Sequence, residues 1–233
     1  RQKIGLRNEK IRPTCAILDP TYTFSVPKFH TACGVVDIMS HTYESYFCND
    51  SGTIPDGFSE AIQRACVESG PKVMVNPSDY DTRAELMWAA VLSISHLSAC
   101  GRPVFNSPIH ALEHILSAYY DIVHGAGIAI ISLSWFRYAL TDENAPRFAK
   151  WAKNVWGIEI QGSDREAGEA AILAFESFCR ELGLPTRLSE VNIGRKQIEE
   201  IVEAEFAGLK GNETWFRPVT SKEELLAVYA LAL

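Results

Sequence analysis

The sequence predicts a mainly α-helical protein, with a short two-stranded segment over residues 1–26 followed by a helical domain over residues 27–233. Two observations carry this prediction. From Pro27 onward, apolar residues recur at intervals of three and four, which is the period of an amphipathic helix. Before Pro27, they occur in short runs around a polar stretch, which is typical of strands joined by a turn.

The composition excludes several classes of protein. A hydrophobic content of 47% with 22% charged residues is typical of a folded chain rather than a disordered one. The formal charge of -7 argues against a nucleic-acid partner, because nucleic-acid binders present a basic face. No apolar run approaches the roughly 20 residues that a bilayer span needs. We therefore expect neither a nucleic-acid nor a membrane partner.

The six cysteines are scattered, with no C-x-x-C pair. This spacing predicts reduced, mostly buried thiols and a cytoplasmic protein. The chain carries no signal-peptide pattern, and it opens on Arg1 rather than methionine. The missing methionine would follow from processing or disorder, and equally from the absence of an N-terminal portion. The cysteines are Cys15, Cys33, Cys48, Cys66, Cys100 and Cys179.

The first segment contains apolar runs at residues 3–6 and 15–18, which flank polar residues 7–10. This pattern predicts a β-hairpin that ends at Asp19-Pro20. Because two strands alone are marginal in water, we expect the hairpin to belong to a larger sheet supplied by chain before Arg1.

The helical domain divides at glycine and proline positions. Pro27 suits a first helical turn, and Ser107-Pro108 supplies a capping residue and a first-turn proline for the helix that carries His110. Ser221 and Glu224 form a capping box before the last helix. The predicted helices cover residues 28–47, 56–68, 82–101, 108–120, 128–140, 146–156, 164–182, 196–209 and 225–231.

Three of the six histidines, His110, His114 and His124, lie within fifteen residues. Asp37 and His41 are four residues apart on another predicted helix, so their side chains leave the same face. Imidazole and carboxylate groups from separate helices are what a divalent metal needs to be held from several sides. We hypothesise a metal site made of Asp37, His41 and two of the three clustered histidines. We expect the remaining His30 and His96 to be hydrogen-bonded core residues.

His110 and His124 cannot bind one ion from a continuous helix. Fourteen residues at 1.5 Å rise span roughly 21 Å, whereas ligand nitrogens on one metal are only about 3 to 4 Å apart. If both bind, the helix must end near residues 120–123. Gly125 and Gly127 predict a tight turn there, because glycine allows a sharp change of direction.

A competing motif overlaps the cluster. His110, Glu113 and His114 fit the H-x-x-E-H signature of inverted zinc peptidases, in which both histidines bind zinc and the glutamate activates water. A peptidase function leaves Asp37, His41 and His124 without a role, so the sequence favours it least. A helical metal-binding or assembly module without catalysis is favoured over a peptidase.

Four stretches together resemble the iron-containing alcohol dehydrogenases of the butanol dehydrogenase type, and the resemblance spans nearly all of residues 1–140. They are Asp19-Pro-Thr-Tyr-Thr-Phe24, Gly34-Val-Val-Asp37-Ile-Met-Ser-His41-Thr-Tyr-Glu44, Tyr80-Asp-Thr-Arg83-Ala-Glu-Leu-Met87-Trp88, and the segment from His110 through Glu113-His114 and Tyr119-Tyr120-Asp121 to His124-Gly125.

The resemblance implies the helical metal-binding domain of a dehydroquinate synthase-like fold, with residues 1–26 as the remnant of an α/β cofactor domain. It implies that one divalent metal, iron or zinc, is coordinated by four residues, and that His114 stands near substrate and nicotinamide without binding the metal. The four ligands it implies are Asp37, His41, His110 and His124.

The resemblance also implies an activity. Family members reduce aldehydes or oxidise primary alcohols with NAD or NADP, with the metal acting as a Lewis acid on the substrate oxygen. A glycine-rich dinucleotide loop is missing from this sequence. We therefore expect the 233-residue chain to bind metal, to bind NADH and NADPH weakly, and to lack measurable reductase activity. The surface around Gly34, His114 and Gly125 is expected to face solvent or a second copy in a homo-oligomer.

Overall fold

A computed structural model describes residues 3, 5–6, 8–50, 52–95, 97–102, 107–209 and 215–233. Across these residues the secondary structure is helical, and the prediction of a mainly α protein is confirmed. The α-helices are α1 (Lys28–Tyr46), α2 (Thr53–Val75), α3 (Tyr80–Ser93), α4 (Ile109–Tyr120), α5 (His124–Ala139), α6 (Ala145–Trp156), α7 (Asp164–Glu181), α8 (Arg195–Glu205) and α9 (Lys222–Ala230).

The predicted β-hairpin is wrong for the described part of residues 1–26, which forms no strand. The side chain of Asn8 accepts the Lys10 amide at 2.9 Å and closes a 3-10 turn at Glu9–Ile11. Leu6 and Ile17 stay 80% and 91% exposed, so they contribute to no core. A strand is stable only beside a partner that completes its hydrogen bonds. Residues 4 and 7 of the predicted hairpin lie outside the described part of the chain.

Helix α2 extends well beyond its predicted end. The sequence Ser69-Gly70-Pro71 predicts a break, yet the helix continues through Pro71 to Val75. Gly70 lies under Phe178, where an added Cβ would stand 3.0 Å from the ring. Packing against another helix therefore outweighs the roughly 3 kcal/mol penalty of an internal proline.

Helix α5 forms the centre of the core, as its apolar sequence predicts. Its residues from Gly125 to Phe136 are all buried, and α1, α4, α7 and α9 pack around it. The aromatic centre at the end of α1 joins Phe47 to Trp135, Phe136, Phe148 and Trp151, with ring centroids 4.6 to 5.9 Å apart. Among the described residues, no helix combines the length and apolar character that crossing a bilayer requires.

Two smaller expectations have mixed outcomes. Four of the six cysteines are buried free thiols, and Cys15 and Cys100 are exposed. His30 is exposed in the first turn of α1, so the prediction that it belongs to the core is wrong. All three residues 28–30 of this turn are exposed, and the buried part of α1 begins at Thr31. His96 lies outside the described residues.

Candidate metal centre

Three helices deliver the candidate ligands to one place. Helix α1 carries Asp37 and His41, α4 carries His110 and His114, and α5 begins at His124. The predicted helix break before His124 is confirmed. Here the chain turns at Asp121, which adopts a left-handed conformation (φ 53°). Its backbone amide donates to the backbone carbonyl of Ser117 at 3.0 Å.

The two glycines after His124 act by close packing rather than by unusual backbone angles. A Cβ at Gly125 would lie 2.3 Å from the Cys33 carbonyl oxygen, so α5 starts directly against α1. A Cβ at Gly127 would lie 2.7 Å from Cγ of Glu113. Both glycines are buried, so the expectation that Gly125 faces an open surface is wrong.

Asp37 lies at the centre of the group. Its Oδ1 is 3.5 Å from Nε2 of His110 and 3.4 Å from Nε2 of His124. One potential ligand atom from each of these three residues lies within 4.8 Å of the others. Separations near 3.4 Å are those of ligand atoms that share one ion at about 2.0 to 2.2 Å.

His41 lies at the edge of this group. Its Nε2 is 3.7 Å from Oδ2 of Asp37, and its ring stacks on His110 with centroids 4.7 Å apart. Its ring nitrogens do not join the mutually close ligand atoms of Asp37, His110 and His124. The structure therefore brings three of the four predicted ligands into one cluster, with the fourth beside it.

His114 lies on the other side of the cluster. Its ring centroid is 5.9 Å from that of His110 and 5.3 Å from that of His124. Burial, followed by the nearby Lys3 ammonium, lowers the pKa of His114 to about 4. Its imidazole is therefore neutral at pH 7.

Unsatisfied polar atoms indicate what the cluster can hold. Oδ1 of Asp37 and Nε2 of His110 are buried without a hydrogen-bond partner in the described part of the chain. Leaving such atoms unpaired costs about 1 to 3 kcal/mol each. Both are electron-pair donors when His110 carries its proton on Nδ1, so a shared cation would satisfy both. The donor set therefore fits a divalent metal.

Charge in the cluster also favours a cation. Although burial opposes ionisation, the imidazoles of His110, His124 and His41 hold the pKa of Asp37 well below its usual range. Burial lowers the pKa of His110, but the carboxylates of Glu44 and Asp37 outweigh it and raise that pKa to about 10. A proton and a metal ion compete for the same nitrogen, so the carboxylates that attract one also attract the other.

Two buried glutamates that contact the cluster are absent from the predicted site. Glu44 Oε2 lies 2.5 Å from Nδ1 of His110, and Oε2 of Glu113 contacts Nδ1 of His124. The position of Glu44, seven residues after Asp37 on the same face of α1, was the available signal. Glu113 is fully buried and its two oxygens contact His124 and Ser117, whereas the peptidase motif requires its carboxylate to bind the reacting water.

Comparisons with known proteins place the chain in context. The model for the C-terminal part of the Fe-containing alcohol dehydrogenase family matches residues 31–233. NADH-dependent butanol dehydrogenase A of Clostridium acetobutylicum is 40% identical over 225 residues, which is 96% of this chain and 58% of that protein. The NADPH-dependent aldehyde reductase YqhD of Escherichia coli is 34% identical over 201 residues, covering 86% of this chain and 51% of that protein.

Solved structures agree with the sequence comparisons. NADH-dependent butanol dehydrogenase A from Thermotoga maritima superposes with a TM-score of 0.91 at 31% identity, covering 99% of this chain and 59% of that one. The chain thus spans about three fifths of the length of the butanol dehydrogenases it matches.

Proposed function

Since the chain belongs to the iron-containing alcohol dehydrogenase family, we propose that residues 27–233 form the metal-binding part of a nicotinamide-dependent enzyme. Its reaction interconverts a small primary alcohol and an aldehyde. The relatives named as butanol dehydrogenases and an aldehyde reductase support this substrate class. Both NADH and NADPH occur in their names, so either cofactor is compatible with the family.

The observation that carries the proposal is the pair of unpartnered atoms, Asp37 Oδ1 and His110 Nε2, beside Nε2 of His124. We assign the metal to these three residues together with His41, whose Nε2 lies 3.7 Å from Oδ2 of Asp37. Carboxylate and imidazole ligands accept both iron and zinc. When bound, the ion would supply a Lewis acid that polarises the substrate oxygen.

The chain's own residues then hold and orient the substrate. His114 stays neutral at pH 7, and its ring lies next to His110 and His124. A neutral imidazole can accept a hydrogen bond from an alcohol hydroxyl or donate one to an aldehyde oxygen. We therefore assign His114 to orienting the substrate and passing its proton.

Gly34 marks where the cofactor would approach. It is exposed one helical turn before Asp37, and an added Cβ there would meet no atom within 4 Å. Hydride transfer needs the nicotinamide within about 3 to 3.5 Å of the substrate carbon. We infer that the isolated 233-residue chain binds NADH and NADPH weakly and has no measurable turnover with butanal. Micromolar dinucleotide affinity in a fluorescence titration would contradict this.

Elemental analysis tests the metal site. We expect about one equivalent of divalent metal in the wild-type chain, and a large loss in Asp37→Ala and His124→Ala. Asp142→Ala is the matched control, because that carboxylate is 92% exposed and far from the histidines in sequence. Unchanged metal content in both site variants would remove the basis of the proposed function.

A second substitution separates the role of His114 from that of a ligand. We expect His114→Ala to keep its metal, and to slow turnover by about 10² to 10⁴ in the enzyme with its cofactor domain. Metal loss in His114→Ala would instead make this residue a ligand.

A further inference from the structure

We infer that Glu44 and Glu113 are positioning residues, each of which holds Nδ1 of one histidine and thereby directs its Nε2 towards Asp37. The inference rests on the proposed metal site and adds to it the residues that prepare it. Glu44 acts on His110 and Glu113 acts on His124.

Glu44 receives donors from several directions although it is only 1% exposed. Its Oε2 is 2.5 Å from Nδ1 of His110, and its Oε1 accepts the His110 amide at 3.0 Å. Ser107, predicted to cap α4, instead donates its hydroxyl to the same Oε1 at 3.3 Å. Glu44 therefore holds both the backbone and the ring of His110, which leaves the ring little freedom to rotate.

Glu113 is fully buried and is held on both oxygens. Oε2 contacts Nδ1 of His124, and Oε1 accepts the hydroxyl of Ser117. Gly127 leaves space for the Glu113 carboxylate, since a Cβ at this position would come within 2.8 Å of Oε1. Ser117 also lies 3.2 Å from the Ile122 carbonyl, so the same network holds the turn before His124.

These contacts determine which nitrogen is free. When Nδ1–H donates to a carboxylate, the lone pair of a neutral imidazole is on Nε2. In both histidines that Nε2 lies within 3.5 Å of Asp37 Oδ1. A carboxylate on the far nitrogen also strengthens the imidazole as a ligand, and its loss typically costs 10- to 100-fold in metal affinity.

Lys3 presents a competing arrangement at His124. Its Nζ lies 3.1 Å from Nδ1 of His124 and 3.5 Å from Oε2 of Glu113. An ammonium has no lone pair, so a bond from Lys3 to Nδ1 would move the proton of His124 to Nε2 and block that ligand. We assign the proton to Nδ1, because the carboxylate is the buried acceptor there and Lys3 can pair with it directly.

The arrangement links three helices in series. The carboxylate of Glu44 on α1 holds a histidine of α4, and the carboxylate of Glu113 on α4 holds a histidine of α5. Asp37 on α1 faces both histidines. A cation bound at Asp37 would therefore find two ligands already oriented by residues that do not touch it.

Titration of the 233-residue chain with Co²⁺, followed by its visible absorption, tests this. We expect Glu44→Gln and Glu113→Gln to bind about 10- to 100-fold more weakly than wild type, with altered absorption bands. Gly127→Ala should weaken binding too, because the new methyl group displaces Glu113 without removing its charge. Glu60→Gln is the control: this buried carboxylate bonds Tyr46 and Asn154 and contacts no site histidine.

The outcomes separate the two proposals. Wild-type affinity and spectra in both glutamine variants would overturn the positioning role while leaving the metal site intact. Failure of the wild-type chain to bind Co²⁺ would instead overturn the proposed function itself. If a variant does not fold, NMR of the Zn²⁺-loaded wild type tests the positioning role instead. Its ¹⁵N imidazole spectrum should show protonated Nδ1 and metal-bound Nε2 in His110 and His124, and the reverse assignment would overturn the inference.

Discussion

Two aspartates on neighbouring helices, Asp37 on α1 and Asp56 on α2, have opposite surroundings. Asp56 is 1% exposed, and cationic side chains satisfy both of its oxygens. Arg102 bonds Oδ1 at 2.5 Å, Arg147 bonds both oxygens at 2.6 and 2.7 Å, and Lys150 bonds Oδ2 at 2.6 Å. Asp37 is surrounded by histidines, and its Oδ1 has no hydrogen-bond partner in the described structure.

The Asp56 cluster is complete without any ligand. Arg147 also donates Nε to the Tyr46 carbonyl at 2.8 Å, which ties the end of α1 to α6. Although burial opposes ionisation, Arg147, Lys150 and Arg102 hold the pKa of Asp56 well below its usual range. This cluster fastens helices together, and both oxygens of its carboxylate have partners.

The contrast teaches how to tell a structural polar cluster from a ligand site. Both clusters shift pKa values, so a shifted pKa does not separate them. Hydrogen-bond saturation does separate them: cationic side chains occupy both oxygens of Asp56, whereas Oδ1 of Asp37 and Nε2 of His110 lack a hydrogen-bond partner in the described part of the chain. The predictions below test that distinction.

The largest expected effect is on stability at Asp56. Asp56→Ala leaves Arg102 and Arg147 buried without their carboxylate, which should lower the free energy of unfolding by about 3 to 5 kcal/mol. Asp37→Ala in a chelator should cost less than half as much, because Asp37 is about one-third exposed. Urea denaturation of the metal-free variants measures both. Equal losses would mean that both clusters are structural.

A divalent metal should stabilise the folded chain only by binding at the Asp37 cluster. At a free concentration 100 times its Kd, a bound ion raises the free energy of unfolding by about 2.7 kcal/mol. We expect Zn²⁺ to raise the Tm of the wild type and of Asp142→Ala, and to leave that of Asp37→Ala unchanged. A similar rise in Asp37→Ala would place the bound ion elsewhere.

Asp56 and His110 should respond to pH in opposite directions in the metal-free chain. The pKa of Asp56 is lowered on folding, so its contribution is present above pH about 4 and is lost as pH falls further. The pKa of His110 is raised to about 10, so its contribution is present below pH about 6.5 and is lost as pH rises towards 10.

Unfolding free energies measured from pH 3 to 10 in a chelator check this, with an expected change of about 1 to 2 kcal/mol on each side. Asp56→Asn should reduce the change on the acid side, where Asp37 still contributes, and His110→Gln should reduce it on the alkaline side, where His124 still contributes. A flat alkaline side in the wild type would contradict the charge assignment at His110.

The smallest expected effect is a difference in Zn²⁺ affinity between two histidine substitutions. Among the described residues, His41 has no carboxylate partner other than Asp37, whereas His110 also has Glu44. His41→Ala should therefore weaken Zn²⁺ binding several-fold less than His110→Ala does. Competition with a chromophoric chelator measures the two affinities. The opposite order would place His41 at the centre of the site rather than at its edge.

Local rules of chain geometry are enough to predict much of the site. The rise of a helix requires a break between His110 and His124, and the chain turns there at Asp121. The four-residue spacing of Asp37 and His41 places both on one face of α1. The helices that follow α5 begin and end close to their predicted bounds, except that α8 stops at Glu205. These features depend on residues within about one turn of each other.

Contacts between distant residues could not be predicted in this way. Glu44 and His110 are 66 positions apart, and nothing local indicates that their side chains meet. Helix α2 passes Pro71 because Phe178 packs on Gly70, and residues 15–18 form no strand because a strand needs a neighbour. In each case a preference of the local chain was outweighed by the presence or absence of a partner.

The sequence by itself determined the helical class, the break before His124 and the histidines and aspartate that face one another. The tertiary structure alone decided that Asp37 lacks a partner, that Asp56 is saturated, and that Glu44 and Glu113 hold the histidine rings. The reason is physical. Helical periodicity and reach are properties of a short stretch of chain, whereas burial and hydrogen-bond saturation are created only when separate helices pack together.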